Sequence, residues 1–330
     1  MVTKCNVLKA LLCMLVLVLF IRYQGIQYWV AYTGKGFAHV LPPETLYSVT
    51  DVNRKRLCSS GEFKVLTFNV EYGSEFIENM AVLFNNGSTG GALPWSARAP
   101  EIRERIKDYA PDLIGLQETH TDKDIAKILS SQDYSLLSYH LGGFEYGYAA
   151  IAYKSARFEV LDKGHLWLSP NPLLPMSNGF NFISMIRYVN WVILKEKSTE
   201  FTFMFVNTHF DNAGGNKDPS AILFYDRITQ LAKGLPMIVT GDFNTTGDHE
   251  RYRRLIGADK PVRLLQNIYL LAGQPAVAPD LHPKKRIDHI FAGGPCYEKA
   301  GNWFIDPQPL KNSERMSDHF PILARISFTP

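Results

Sequence analysis

A chain of 330 residues with 46% hydrophobic and 12% aromatic content can fill one large core, and 20% charged residues gives no ground for wholesale disorder. The formal charge of +3 is too small at this length to mark a protein that coats nucleic acid, although it leaves room for a local basic patch. The four cysteines, at positions 5, 13, 58 and 296, match neither a zinc spacing nor a disulfide framework; Cys58 and Cys296 read as two separate buried thiols or as one bridge, which an oxidising compartment would favour.

The first element is the unbroken apolar run "ALLCMLVLVLFI", residues 10–21, preceded by Lys4 and Lys9 and closed by Arg22. As a helix it rises about 18 Å, short of a hydrocarbon core of about 30 Å and typical of the apolar region of a signal peptide. No small-x-small cleavage pattern follows in "RYQGIQYWVAYTGKG", and "IQYWVAY" extends the apolar texture with interfacial aromatics. Residues 1–31 are therefore expected to be a signal-anchor or a signal peptide, with a buried helix as the other reading. An anchor places the N-terminus in the cytoplasm and the body outside it; a cleaved signal makes the protein secreted. Residues 32–61, with Gly34, Gly36, Pro42, Pro43 and "DVNRKR", read as a linker, and residues 62–330 as the folded domain.

From Phe63 onward short runs rich in Val, Ile, Phe and Tyr recur, as strands do: "FKVLTFNV", "DLIGLQE", "YAAIAY", "RFEVLD", "MIRYVNWVIL", "FTFMFVNTHF", "PMIVTGDFN", "RIDHIFA" and "HFPILARISF". Helices are expected over 95–110, where Ile102 and Ile106 lie on one face and Pro111 follows, and over 218–234, where Ile222, Tyr225 and Ile228 recur and Gly234 ends the segment. Residues 75–84 are a further helical candidate. No repeat at the roughly 20–50-residue period of solenoids is present. Many strands with interspersed helices point to an α/β (α+β) sandwich, sheet on sheet with helices outside.

Several of these apolar runs end on polar side chains, Asn69, Glu118, His209 with Asp211, and Asp242 with Asn244; "RIDHIF" embeds Asp288 beside His289, and "SDHFPILARI" opens on Asp318 and His319. Residues two apart on a strand share a face, so Asp242 and Asn244, or Asn207, His209 and Asp211, are expected to line one cavity. A carboxylate at the end of a buried strand is costly unless it is paired or bound to a cation. Carboxylate and amide oxygens suit a hard cation such as Mg²⁺, with Mn²⁺ as a substitute, whereas the thiolate and clustered-histidine signs of zinc are missing. The histidines remain for proton transfer, and the set as a whole suits a phosphoryl centre.

The ordered motifs "LTFNVEYG", "PDLIGLQETH", "NTHFDN", "GDFNTT", "RIDHIF" and "SDHFPI" resemble the endonuclease/exonuclease/phosphatase superfamily, the DNase-I-like fold, from about Phe63 to the C-terminus. The resemblance implies a four-layered sandwich of two mostly antiparallel β-sheets flanked by helices. It implies Glu118 as principal metal ligand, with Asn69 and Asp318 on the metal side. Asp242 resembles the residue that positions or deprotonates the attacking water, and Asn244 its phosphate-oriented partner. His319, oriented by Asp288, is similar to the imidazole on the scissile phosphate, and His209 to the histidine on the phosphate or leaving group. Arg187, in "MIRYVNW", is a phosphate contact or a plain ion-pair residue; Asp211 is a substrate-side residue or a strand-end hydrogen-bond acceptor. Trp95 with Arg98 resembles a family pattern and reads as packing. His289 is expected on the opposite face from Asp288, and His120 in a loop.

What this implies is a metal-dependent phosphoesterase, hydrolysing a phosphodiester or phosphomonoester by in-line attack of water. A nuclease and a catalytically silent binding relative are the alternatives. "GDFNTT" and "KKRIDHIF" lack the signatures of inositol 5-phosphatases, and no tryptophan-rich element precedes Arg286 as in abasic-site endonucleases. The segment "AAIAYKSARFEVLDKGHLWLSPNP" is similar to the secreted or anchored branch related to deadenylases, departing at Pro170 and Asn171. Expected partners are a phospholipid headgroup, a nucleotide or a nucleic acid as substrate, and a membrane through the N-terminal segment; nothing calls for an obligate protein partner. Lys284, Lys285 and Arg286 read as a grip on a polyanion or as a solvated charge run.

Overall fold

The computed structural model describes residues 13–16, 61–73, 93–138, 148–173, 177, 179–180, 185–212, 214–232, 234–260, 265–275, 286–306 and 315–329. Its elements in chain order are β1 (Gly61–Gly73), α1 (Trp95–Tyr109), β2 (Leu113–Thr119), α2 (Asp122–Ile128), β3 (Tyr134–Leu137), β4 (Tyr148–Lys154), β5 (Phe158–Trp167), β6 (Tyr188–Glu196), β7 (Thr202–His209), α3 (Gly214–Ala232), β8 (Met237–Asp242), α4 (Glu250–Leu255), β9 (Leu265–Asn267), α5 (Ile268–Leu271), β10 (Asp288–Gly293), β11 (Tyr297–Ile305) and β12 (Ile322–Thr329).

The strands form two six-stranded sheets, ordered β11-β12-β1-β2-β4-β3 and β5-β6-β7-β8-β10-β9. Pairing is antiparallel except for one parallel pair in each sheet, β1 with β2 and β7 with β8. These central strands are buried on both faces, which is why their sequences are almost continuously apolar rather than alternating. Between the sheets lies a core built on Phe63, Phe201, Phe203, Val192 and Ile326. Trp95, Ile102 and Ile106 of α1 and Ile125 of α2 cover the outer face of the first sheet against Leu66, Phe68 and Leu116. Phe224 and Ile228 of α3 and Leu255 of α4 cover the second against Val206, Val239 and Phe291. This is the expected four-layered sandwich.

A polar seam crosses the apolar interface between the sheets. Gln117 Nε2 donates to Asn207 Oδ1 at 2.7 Å and to Thr67 Oγ1 at 3.1 Å, and Thr240 Oγ1 donates to Asn207 Oδ1 at 3.0 Å. Asn207 Nδ2 in turn donates to the carbonyls of Leu116 at 2.9 Å and Ala150 at 2.8 Å. These groups are buried, so each bond removes a desolvation cost; those of Asn207 with Gln117, Leu116 and Ala150 hold the two sheets at one relative position, while Gln117–Thr67 and Thr240–Asn207 brace each sheet from within.

Several elements differ from expectation. The helix expected over 218–234 begins at Gly214. Three strands had no reading in the sequence: β3 is short and only half-buried, β9 has three residues, and β11 is an edge strand rich in small and charged residues. The helical candidate at 75–84 lies outside the described residues. So does the N-terminal segment apart from residues 13–16, which are helical and exposed, and so does the expected linker apart from Gly61, which opens β1. Among the described residues no helix is long and apolar enough to cross a membrane. Cys296 is disulfide-bonded, and its partner lies outside the described residues.

Gly115 of β2 abuts the seam. A Cβ added there would meet Thr240 Oγ1 at 2.1 Å and Asn207 Oδ1 at 2.6 Å. Gly115→Ala is expected to destabilise the fold by about 1 to 3 kcal/mol through overpacking, measured by urea denaturation. A variant as stable as the wild type contradicts this tight approach.

Candidate active site

Both parallel pairs deliver their carboxyl-terminal ends to the same edge of the sandwich. Asn69 is in register with Gln117 across β1 and β2, His209 with Asp242 across β7 and β8, and Asp288 with Asp242 across β10 and β8. In open sheets with parallel strands, such ends are where ligands bind.

Asp242 is the centre of the cluster and is 1% exposed. Asn69 Nδ2 donates to Asp242 Oδ2 at 3.1 Å and to Glu118 Oε1 at 3.0 Å, tying a residue of the first sheet to both. The Asn244 backbone N–H donates to Asp242 Oδ1 at 2.9 Å. Two imidazoles flank the same carboxylate, His209 Nε2 at 3.4 Å and His319 Nε2 at 3.7 Å from Oδ2. His319 Nδ1 lies 2.6 Å from Asp288 Oδ2, so the carboxylate fixes the ring. Asn244 Nδ2 donates to the Phe210 carbonyl at 2.9 Å and lies 3.4 Å from His209 Nε2. Asn69, Glu118, His209, Asp242, Asn244, Asp288 and His319 thus lie together in one group. Asp318 stands at its rim, its side chain 60% exposed and Oδ1 3.9 Å from His319 Nε2.

Strand alternation does not explain how two of these side chains arrive. Glu118 sits at a register shift in β2 with φ 58°, and Asn244 follows β8 with φ 47°. Glu71, at the irregular end of β1, has φ 48°. A bulge or a left-handed residue re-aims a side chain, at a cost of roughly 1 to 3 kcal/mol for a non-glycine residue.

Electrostatics separates the roles. Burial, reinforced by Asp288, holds the Asp242 carboxyl up to about 7 against the opposing pull of His319, the Asn244 N–H and Asn69. Burial draws His319 down, but Asp288, by charge and hydrogen bond, and then Asp242 and Asp318 outweigh it and raise the imidazole to about 10. His209 is pushed well below the ordinary histidine range by burial, then by Arg187 and His319, and is neutral. Two imidazoles beside one carboxylate therefore carry different charge at neutral pH.

The donor set fits a divalent cation. Asn69, Glu71, Glu118 and Asp318 supply oxygen and no sulfur, the chemistry of a hard ion. Burial and then Asp318 raise the Glu71 carboxyl, with Glu118 adding to the effect and Arg98 opposing it. The protein therefore gathers more carboxylates here than its own cations compensate. Asp242, Asp288 and His319 also present one ligand-type atom each within 4.8 Å of one another. Within that trio His319 and Asp288 are hydrogen-bonded to each other, and the buried Asp288 Oδ1 has no hydrogen-bond partner.

Asp211 accepts from the Met185 N–H at 3.1 Å and from Asn216 Nδ2 at 2.6 Å, holding the approach to β6 against the start of α3. Arg187, buried, lies near enough to His209 to depress it. Glu71 and Lys217, which lie near this cluster, have no counterpart among the residues expected from the sequence, and Arg98, expected as packing, is buried beside Glu71. Lys217 is lowered by burial and by Arg251 while Asp242 and Asp211 draw it the other way, so it lies within electrostatic reach of this site; its only sequence signal is a lysine soon after "NTHFDN". His289 is buried on the opposite face as expected, its Nε2 2.9 Å from the Thr245 carbonyl. His120 follows β2 outside any helix or strand, and is buried. Lys284 and Lys285 lie outside the described residues, and Arg286 lies over the Trp303 ring at 4.7 Å, partly buried rather than solvated. A cavity of about 900 Å³ lined by Arg103, Lys107, Lys127, Tyr134, Lys154 and Arg157 includes none of the clustered residues, and the chemistry favours the strand-end group.

Solved structures share this arrangement of sheets. An endonuclease/exonuclease/phosphatase from Bacteroides vulgatus aligns with TM-score 0.65 and 25% identity over 81% of this chain and 98% of its own. A mannosyl-6-phosphatase from Bacteroides thetaiotaomicron aligns with TM-score 0.62 and 25% identity, covering 80% and 98%. The human Nocturnin catalytic domain, solved with a bound sulfate anion, aligns with TM-score 0.59 and 20% identity, covering 81% and 95%, a likeness of fold. No curated protein sequence matches this chain. Residues 66–319 match the Endonuclease/Exonuclease/phosphatase family, a span that reaches from β1 to His319 and includes the whole clustered site, and the chain belongs to that family.

Proposed function

We propose that this chain is a divalent-metal-dependent phosphoesterase that hydrolyses a phosphodiester or phosphomonoester by in-line attack of water. The observation that carries this reading is the meeting, at one strand edge, of a buried carboxyl near neutrality, a charged imidazole and an oxygen-rich pole. Asp242, steadied by Asn69 and the Asn244 N–H, takes a proton from water, its value lying close to the working pH. His319, protonated and aligned by Asp288, faces the phosphoryl oxygens and gives a proton to the leaving oxygen. His209, neutral, and the Asn244 amide donate hydrogen bonds to charge developing on the phosphorus oxygens. Arg187 and Asp211 shape the substrate side. Glu118, Asn69 and Asp318, with Glu71 beside them, would hold Mg²⁺ or, in substitution, Mn²⁺. When bound, such an ion neutralises phosphate charge and polarises a phosphoryl oxygen.

The mannosyl-6-phosphatase among the similar structures supports a phosphate ester of a small polar alcohol as one substrate class; a phospholipid headgroup, a nucleotide and a nucleic acid are the others. The bonded Cys296 and the apolar run at 10–21 support a catalytic domain outside the cytoplasm, anchored or secreted. Non-reducing mass spectrometry of the mature protein, with N-terminal sequencing, should find Cys296 oxidised and show whether residues 1–31 remain. A wholly reduced protein overturns the location.

EDTA is expected to abolish hydrolysis of bis(4-nitrophenyl) phosphate and 4-nitrophenyl phosphate, and added Mg²⁺ to restore it. Undiminished turnover after metal removal sinks the proposal. A panel of sugar phosphates, sphingomyelin, phosphoinositides, nucleotides, DNA and RNA then sets the substrate class.

Asp242→Asn should lower kcat/KM by about 100-fold or more. A carboxyl raised from 3.8 to about 7 holds its proton more tightly folded than unfolded, so its contribution to stability is greatest below that lower value. That contribution falls as pH rises through this window. Metal-free Asp242→Asn is therefore expected to exceed the wild type in stability above the window by about 1 to 3 kcal/mol, with the gap closing on acidification. Urea denaturation at several pH values checks this, and a variant less stable at pH values above the window contradicts it.

A further inference from the structure

Arg98 projects from α1, which supplies no residue to the catalytic group, and is 0% exposed. The sequence pattern Trp95–Arg98 reads as packing, and the guanidinium does lie 5.4 Å from the Trp95 ring centroid. Its donors show a more specific task. Nη1 donates to the carbonyls of Val70 and Met316, each at 2.7 Å, Nη2 to the Glu71 carbonyl at 2.6 Å, and Nε to the Leu93 carbonyl at 2.6 Å.

Those carbonyls lie next to the residues that meet at the oxygen-rich pole. Val70 and Glu71 follow Asn69 at the end of β1, and Met316 precedes Ser317, Asp318 and His319. The two segments are also cross-linked beyond Arg98. Ser317 Oγ donates to the Asn69 carbonyl at 2.7 Å, the Asp318 N–H donates to Glu71 Oε2 at 2.9 Å, and the Glu71 N–H donates to Asn69 Oδ1 at 3.0 Å. The His319 N–H donates to Ser317 Oγ at 3.1 Å. Only a planar fork with several fixed donors can hold backbone from both segments at once; a lysine ammonium at the same place has no such geometry. A fully buried cation is also a poor way to stabilise a core, because apolar side chains of similar volume usually serve as well. The guanidinium is accounted for by what it aligns.

We propose that Arg98 is the positioning residue of the metal side of this centre, clamping the end of β1 to the 316–319 segment so that Asn69, Glu71, Asp318 and His319 stay within reach of one another. It acts through those residues and touches neither substrate nor ion. The inference rests on the phosphoesterase reading for its functional consequence, and on backbone geometry for the clamp itself.

Arg98→Met, Arg98→Lys and Ile102→Ala, the last a buried change on the same helix outside the site, are compared with the wild-type full chain. Mn²⁺ binding is followed by calorimetry, thermal midpoint by scanning calorimetry, and amide exchange by mass spectrometry. Arg98→Met is expected to weaken Mn²⁺ binding by about 10- to 100-fold and to accelerate exchange in peptides covering 68–73 and 315–320 together. Arg98→Lys recovers part of the affinity, and Ile102→Ala lowers the midpoint but leaves affinity unchanged. Wild-type affinity in folded Arg98→Met, or an equal loss of affinity in Ile102→Ala at matched midpoint, overturns the proposal. Should Arg98→Met fail to fold, Arg98→Lys decides, with unchanged affinity and exchange overturning it. A wild type that binds no Mn²⁺ defeats the phosphoesterase reading, and the clamp is then judged on whether the two peptides lose protection together.

Discussion

The structure depends on the alignment of two sheets, and one buried amide sets it. Asn207 uses both ends of its side chain across the interface, accepting from Gln117 and donating to the Leu116 and Ala150 carbonyls, while Thr240 of its own sheet braces the same oxygen. An apolar interface alone tolerates sliding, because burial has no direction. Directed hydrogen bonds in a dry interior do not, since a displaced donor is left without a partner. The seam runs directly beneath the catalytic edge. Asn69 and Glu118 come from one sheet and His209, Asp242 and Asp288 from the other, so a slip of about an ångström between layers would part groups that now lie about 3 Å from each other.

On that base the protein accepts local cost to gain chemistry. Glu71, Glu118 and Asn244 adopt left-handed backbone that a non-glycine residue avoids, and Asp242 and Glu71 are carboxyls raised by burial. Each feature opposes folding, and each lies at the same edge. Left-handed residues also occur elsewhere, at Ala110, Glu200, Gln274 and Asn302, but at this edge they coincide with gathered carboxylates, and that coincidence marks a region shaped by function rather than by stability.

Much of this was legible in the sequence, for reasons that differ by element. The central strands announce themselves because burial on both faces leaves continuous apolar runs, as in "PMIVTGDFN", and a polar residue at the end of such a run is conspicuous. Edge strand β11 was not legible, since "YEKAGNWFI" mixes charge and small residues in a strand with one free side. Period-two reasoning placed Asp242 and Asn244 together for an incomplete reason. Asn244 arrives through a left-handed residue after the strand, and Glu118 through a bulge. Arg98 was read as packing because its partners are backbone carbonyls far away in sequence, and no side-chain pattern records them.

Every strand that feeds the catalytic edge is interior to its sheet, while the outermost strands, β3, β11, β5 and β9, contribute none of the clustered groups. Change can therefore accumulate at the periphery without disturbing the reacting centre. A fold organised this way keeps the reacting centre mechanically apart from the fringe that meets the rest of a substrate. Kinship at 25% identity with a mannosyl-6-phosphatase is then a guide to how phosphorus is handled, and a poor guide to what is attached to it.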